Sequence, residues 1–172
     1  MMTAESRAHL LPAVLAWMPI PCAPAWCKSW LHKAFARDKA QWTVVGSGTN
    51  MGYNYMPEVA LASVAKDAPQ RNRDYVMQGV TAGRAGLPYN FDNWGGYPAA
   101  RSRLLAAAQR ADANLVVVTG DSHNCWAYDL PEGGKPAGVE FGGHSVSSPG
   151  FESATQGTDP MVIARDLVAA NK

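Results

Sequence analysis

The stretch NLVVVTGDSH, residues 114–123, decides the fold class of this 172-residue chain. Its first six residues form an almost continuous apolar run rich in valine. Such a run predicts a strand buried on both faces, as at the centre of an α/β sheet. Gly120 then permits a tight turn where the strand ends. An amphipathic helix predicted at residues 97–111 directly precedes the strand, and the pair predicts an α/β fold.

The other predicted elements lie on both sides of this unit. They are a helix at 25–39, a strand at 42–46, a short helix near 58–65, strands at 125–130 and 138–141 around a turn at 131–136, and a helix at 159–171. The rest of residues 49–96 is rich in Gly, Pro, Asn and Tyr and is predicted to be a long ordered loop. Residues 1–26 form a poorly defined N-terminal segment, and residues 27–172 form the domain.

Composition narrows the possible partners. Apolar residues make up 47% of the chain, charged residues 17%, and the formal net charge is +1, which is typical of a globular protein. The chain has no stripe of basic residues of the kind that would predict a nucleic-acid partner. It also has no apolar run long enough to span a membrane. Residues 9–21 are apolar, but Pro12 and Pro19 interrupt them and little positive charge precedes them. We therefore expect no signal peptide.

A carboxylate and an imidazole follow the predicted central strand. Asp121 offers a hard oxygen and His123 a nitrogen, a pair that suits zinc, iron or manganese, while the oxygen also suits calcium. In an extended chain, residues two apart point the same way, so both could bind one cation. The alternative is that Asp121 caps a loop while His123 packs on Trp126. The spacing alone leaves both interpretations open.

The same residues also permit a second kind of chemistry. Ser122 follows Gly-Asp, as the nucleophile does in Gly-Asp-Ser-type serine hydrolases, where a histidine acts as its base. In that family the block lies near the amino end and its catalytic histidine lies near the carboxyl end. Here the block is late, and no histidine follows His144. Both facts count against a serine hydrolase.

Three blocks, in the same order and with similar spacing, resemble the PhoD-like alkaline phosphatase D family. They are DNWGGYPAAR at 92–101, VVVTGDSHNCWAYDL at 116–130 and GVEFGGHSVSSPGFE at 138–152. The upstream segment WTVVGSGTNMGYNYMPE at 42–58 also resembles the family. The resemblance implies part of a metallophosphoesterase-like layered α/β sandwich, with a metal cluster at strand ends. It also implies hydrolysis of small phosphomonoesters or phosphodiesters.

The resemblance also implies a set of metals and ligands. The Gly-Asp-x-His block of the family supplies metal ligands, which assigns that role to Asp121 and His123. The family cluster implies Ca2+ with Fe3+, and Zn2+ or Mn2+ in relatives. Members of the family are often exported, which implies a periplasmic or extracellular location.

The chain also departs from the family pattern. The motifs Gly-Asp-x-x-Tyr, Asp-Asp-His-Glu and Asp-x-Arg are absent, and Gly95 stands where the family has Asp. Two ligands are too few for a cluster that needs several per ion. We therefore expect a fragment with weak or no activity alone. The alternatives are a non-catalytic truncated remnant and one half of a split enzyme that needs a partner chain.

Four further residues are candidates for the substrate pocket: Asn50, Trp94, Tyr97 and His144. Each also has an ordinary structural explanation, because buried aromatic side chains pack and loop residues form turns. Arg101 is expected to make a surface or loop contact. Three carboxylates show no paired spacing and are expected to be solvated or to cap helices: Glu140, Glu152 and Asp159.

Overall fold

The computed structural model describes residues 25–37, 40–155 and 158–171. The predicted N-terminal segment, residues 1–26, lies outside this description except for its last two residues. The elements, in chain order, are α1 (Ala25–Arg37), β1 (Thr43–Ser47), α2 (Ala60–Ser63), α3 (Gln70–Arg84), α4 (Pro98–Arg110), β2 (Leu115–Thr119), β3 (Trp126–Glu132), β4 (Lys135–Gly142) and α5 (Pro160–Ala170). Two 3-10 helices, Trp94–Gly96 and Phe151–Ala154, complete them. Within the described residues, no helix is both long enough and apolar enough to cross a membrane.

The four strands form one sheet in the order β1-β2-β4-β3. The pairs β1–β2 and β2–β4 are parallel, and β3 runs antiparallel to β4 at the edge. A two-residue turn joins β3 to β4 through Gly133 and Gly134, whose φ angles are 58° and 74°. Positive φ at both positions is what a tight hairpin turn requires, and glycine adopts it without strain. The predicted turn at 131–136 is therefore too long, because both strands continue into it.

One face of the sheet carries the main core. Leu115 and Val117 of β2 are buried against Leu105 of α4 and Phe35 of α1. A register irregularity in the β3–β4 pair also turns Ala137 of β4 into this core. Residue 98 is a proline in the first turn of α4, where its missing N–H leaves no hydrogen bond unmade. The predicted central strand and the helix before it are confirmed.

The opposite side of the sheet, which we call the outer face, consists of Val44, Val116, Val118, Val139 and Phe141. The register pairs Val44 with Val116, Val116 with Val139 and Val118 with Phe141. Val118 is 44% exposed and Phe141 is 54% exposed. Parallel strands are usually covered on both faces, so this apolar surface is unusual.

Helix α3 contradicts the long loop predicted for residues 49–96. Its sequence, QRNRDYVMQGVTAGR, buries only Val76, Gly79 and Val80. These residues form a second small core with Met56 and Ala60. With so few apolar positions, the helical period was too weak to detect in the sequence. The short helix predicted near 58–65 is confirmed as α2, and the predicted final helix as α5.

Candidate functional site

A buried carboxylate fastens the loop after β1 to the end of the sheet. Glu140 of β4 is fully buried, and its two oxygens accept hydrogen bonds from the backbone N–H groups of Met51 and Gly52. Asn50 Nδ2 and the Thr119 hydroxyl donate to Glu140 Oε1 at 3.0 and 2.7 Å. Buried carboxylates persist only when such donors surround them. The expectation that Glu140 is solvated or capping was wrong.

The sequence contained one signal for this buried acid. In β4, Gly138 and Gly142 lie two residues either side of Glu140 and share its face. A Cβ on Gly142 would lie 3.0 Å from Asn50 Nδ2, and one on Gly138 would lie 2.7 Å from the Leu115 carbonyl oxygen. Gly142 therefore leaves room for the partners of Glu140, whereas Gly138 allows β2 to approach closely at Leu115.

Two of the predicted substrate residues belong to this buried frame. Asn50 is 3% exposed and Trp94 is 1% exposed. The Trp94 backbone N–H donates to the Asn50 carbonyl oxygen at 3.1 Å, and Trp94 Nε1 donates to Ser47 Oγ at 3.1 Å. Neither residue lines the cavity described below. Their role in substrate binding remains a prediction, and their contacts give them a structural role.

Arg101 holds the same loop from the helix side. Its guanidinium Nε donates to the Met51 carbonyl oxygen at 2.8 Å, and its Cζ lies 4.5 Å from the centre of the Tyr53 ring. Arg101 thus makes a loop contact, but it is buried rather than on the surface. Tyr97, the residue before α4, is half-buried.

Residues 120–123 form a strained turn at the carboxyl end of β2. Asp121 and His123 have φ angles of 67° and 62°, in the left-handed region that costs a residue with a side chain about 1–3 kcal/mol. The Ser122 backbone N–H donates to the Gly120 carbonyl oxygen at 2.8 Å. The premise that both residues are extended was therefore wrong. Such strain is common at binding and catalytic sites.

The two predicted metal ligands have different surroundings. Asp121 is exposed, whereas His123 is half-buried and its Nδ1 lies 3.0 Å from the Pro149 carbonyl oxygen. If Nδ1–H donates to that oxygen, Nε2 keeps a lone pair for a ligand. This arrangement is common for metal-binding histidines. His144 is exposed and contacts the neighbouring Ser145 carbonyl oxygen through Nδ1.

His123 borders a cavity of about 340 Å³, which we call the His123 cavity. Its lining includes Arg71 and Tyr75 from α3, Tyr89 from the following loop, Ser122 and His123 from the turn, and Trp126 from β3. Asp121 is not among the lining residues. The Ser122 hydroxyl donates to the Asn124 carbonyl oxygen at 3.0 Å, so it is not paired with an imidazole base.

Glu152 helps to shape the loop beside this cavity. The Gly150 backbone N–H donates to Glu152 Oε1 at 2.7 Å, and this hydrogen bond is the largest cause of a lowered pKa for the Glu152 carboxyl group. The Phe151 backbone N–H donates to Asn124 Oδ1 at 3.0 Å. The segment after β4 is thereby held against the turn that carries His123.

The ligand set for a metal is incomplete in the part of the chain that the structure describes. Within residues 25–37, 40–155 and 158–171, no group of three or more His, Cys, Asp or Glu side chains could hold a metal ion. Asp121 and His123 fit a cation by donor type, with one oxygen and one nitrogen. They supply two positions, fewer than the several per ion that a cluster requires.

Comparison with known proteins decides the family. A family model described as PhoD-like phosphatase matches residues 27–172. The chain belongs to the PhoD-like phosphatase family. Alkaline phosphatase D of Bacillus subtilis (strain 168) is 40% identical over 68 residues, which cover 36% of this chain and 12% of that protein. The resemblance seen in the three sequence blocks is confirmed.

A solved structure titled "Structure of PhoD" supports the same fold. It superimposes on 84% of this PhoD-like chain with a TM-score of 0.52 and 22% sequence identity. The match covers 24% of that chain, so this PhoD-like chain spans about a quarter of the solved relative. The predicted partial α/β fold is confirmed, and it corresponds to a minor part of that larger protein.

Proposed function

We propose that this PhoD-like chain contributes part of the active site of a metal-dependent phosphoester hydrolase. The observation that carries the proposal is the strained turn at residues 120–123, which follows the central strand β2 and places His123 beside a cavity. In open α/β sheets, ligands bind outside the carboxyl ends of the strands. Family membership supports phosphoester chemistry for the chain's family.

In this proposal Asp121 and His123 are ligands of a cation, Ca2+ or Fe3+ by family resemblance and Zn2+ or Mn2+ as alternatives. A bound cation would activate water and offset charge on the phosphoryl oxygens. The Pro149 carbonyl oxygen orients the His123 ring by accepting from Nδ1. The substrate is a small phosphoester, and the proposed location is periplasmic or extracellular.

The chain alone is expected to hydrolyse p-nitrophenyl phosphate weakly or not at all, because two ligands cannot complete a cluster. We also expect Asp121→Ala and His123→Ala each to weaken metal binding at least about tenfold, which corresponds to about 1.4 kcal/mol. Calorimetric titration of the chain with Mn2+ or Zn2+ measures the affinity, and the turnover assay uses the same samples.

The matched control is His32→Ala, which replaces an exposed histidine on α1 and should leave metal affinity unchanged. Unchanged affinity in both site variants would remove Asp121 and His123 from the ligand set. Robust metal-dependent turnover by the chain alone, abolished in Asp121→Ala, would instead show that the chain needs no further ligands. Labelling of Ser122 by a fluorophosphonate would favour the serine hydrolase.

We also propose that the outer face of the sheet is covered by the remainder of a PhoD-like catalytic domain, carried on further polypeptide. The support is the exposed apolar surface of Val118 and Phe141 together with the quarter-length match to the solved relative. Covering such a surface with apolar side chains is favourable by about 25 cal/mol per Å². The alternative of a non-catalytic remnant predicts the same exposed surface but no complementing partner.

The outer face is therefore expected to bind the dye anilinonaphthalene sulfonate. The double variant Val118→Thr/Phe141→Ser should reduce dye fluorescence severalfold, because it replaces the two most exposed apolar side chains of that face. Val146→Thr, at a fully exposed residue outside the sheet, is the control and should change little. A discrete dimer in sedimentation that the double variant splits would show that a second copy covers the face, contrary to the proposal.

A further inference from the structure

The His123 cavity has the electrostatic character of an anion site. Arg71 is the one residue with a permanently charged side chain among those that line it, and no Asp or Glu lines it. Asn72 adds a further polar side chain to the wall, whereas the side chains of Ser122 and Asn124 are already hydrogen-bonded within the protein. A guanidinium without a competing carboxylate favours a phosphate or similar anion, because its planar donors match paired oxygens.

The remaining wall of the cavity is aromatic. Tyr75 and Tyr89 pack edge to face, with ring centres 6.0 Å apart and planes at 86°. Burial is the largest cause of a raised pKa for both phenols, so both remain neutral at ordinary pH. Trp126 and Phe151 add two further rings to the lining. Such a wall suits a flat apolar group by stacking or edge contact.

An unpaired donor supports the presence of a ligand. Trp126 Nε1 is buried and has no hydrogen-bond partner, and among the described residues it is the one buried side-chain polar atom in that state. Buried donors without an acceptor are costly and rare in folded proteins. Trp126 lines both the His123 cavity and a neighbouring cavity of about 460 Å³, so an acceptor oxygen of a molecule bound in either one is a candidate partner.

We infer that the His123 cavity selects phosphoesters whose alcohol carries a flat aromatic ring. Arg71 binds the phosphoryl oxygens, while Tyr75, Tyr89 and Trp126 enclose the ring. This inference rests on the proposed function, since it names the substrate class of the same site. It assigns Arg71 and Tyr75 as specificity residues that contact substrate from α3, a helix that the sequence did not predict.

Binding to the metal-free chain tests the inference without any turnover. Phenyl phosphate is expected to bind at least about tenfold more tightly than methyl phosphate, as measured by ligand-observed nuclear magnetic resonance titration. Arg71→Gln should weaken phenyl phosphate about tenfold, and Arg71→Lys should weaken it less because the charge remains. Tyr75→Ala should lessen the preference for phenyl phosphate over methyl phosphate, because one of the three enclosing rings is lost. Arg103→Gln, at an exposed arginine on α4, is the matched control and should change nothing.

Both substituted residues are exposed enough that the variants are expected to fold, and circular dichroism verifies this. Equal affinity for the two esters, or unchanged binding in folded Arg71→Gln, would overturn the inference. The ester titration uses the metal-free chain, so its result is independent of the metal titration. A preference for the aromatic ester, combined with metal affinity that is unchanged in Asp121→Ala and His123→Ala, would contradict the proposed function alone. Metal binding that depends on both residues, without aromatic preference, would sink this inference alone.

Discussion

Replacing Glu140 by alanine is expected to cost the chain a large part of its stability. The substitution leaves the backbone N–H groups of Met51 and Gly52 without their acceptor inside the protein. Each unsatisfied buried group costs about 1–3 kcal/mol, and the lost side chain adds a cavity, so we expect a loss of about 4 kcal/mol or more. Typical domains have about 5–15 kcal/mol in total. Urea unfolding followed by circular dichroism measures the change.

Two variants make this experiment specific. Glu140→Gln keeps the size of the side chain but puts an NH2 group among donors, so its unfolding midpoint should also fall strongly. Glu58→Gln is the matched control, because Glu58 is exposed and its ion pair with Arg84 lies in solvent. Its midpoint should match that of the unsubstituted chain. If Glu140→Ala unfolded at the same urea concentration as the unsubstituted chain, the buried carboxylate would not be the group that holds the loop after β1.

The sequence predicted those parts of the fold whose information is local. The apolar run of β2 and the helical period of α4, with Pro98 in its first turn, are legible within a dozen residues. Asp159 was expected to be solvated or to cap, and its side chain accepts from the Met161 N–H at the start of α5. Helix α3 was not predicted from the sequence, because its three buried residues give only a weak apolar pattern.

The features of the fold and the site that the sequence did not predict depend on residues far away along the chain. Glu140 is bound by backbone groups at Met51 and Gly52, almost ninety residues earlier, and no local pattern marks those donors. Asp121 and His123 were placed correctly at the end of the central strand. Their left-handed backbone was not expected, because it depends on the turn through Ser122 and on contacts such as that between His123 and Pro149.

Gly96→Ala is expected to be more damaging than the same change at the other glycines whose surroundings the structure describes. A Cβ at this position would lie 2.0 Å from the Phe91 carbonyl oxygen and 2.8 Å from its carbon. These are backbone atoms, which cannot rotate away as a side chain can. The turn would have to open, and it carries Trp94, whose N–H is bonded to the Asn50 carbonyl oxygen. We expect a loss of about 3 kcal/mol, at the upper end for overpacked sites.

Gly48→Ala separates this steric effect from the general effect of replacing glycine. Apart from Gly48 and its two chain neighbours, no residue has an atom within 4 Å of the position a Gly48 Cβ would occupy, and the φ of Gly48 is outside the left-handed region. Its unfolding midpoint in urea should change little or rise slightly, because alanine restricts the unfolded chain. If Gly96→Ala and Gly48→Ala unfolded at the same urea concentration, the close approach of Phe91 to Gly96 would be relieved without cost. The turn that carries Trp94 would then be loosely held.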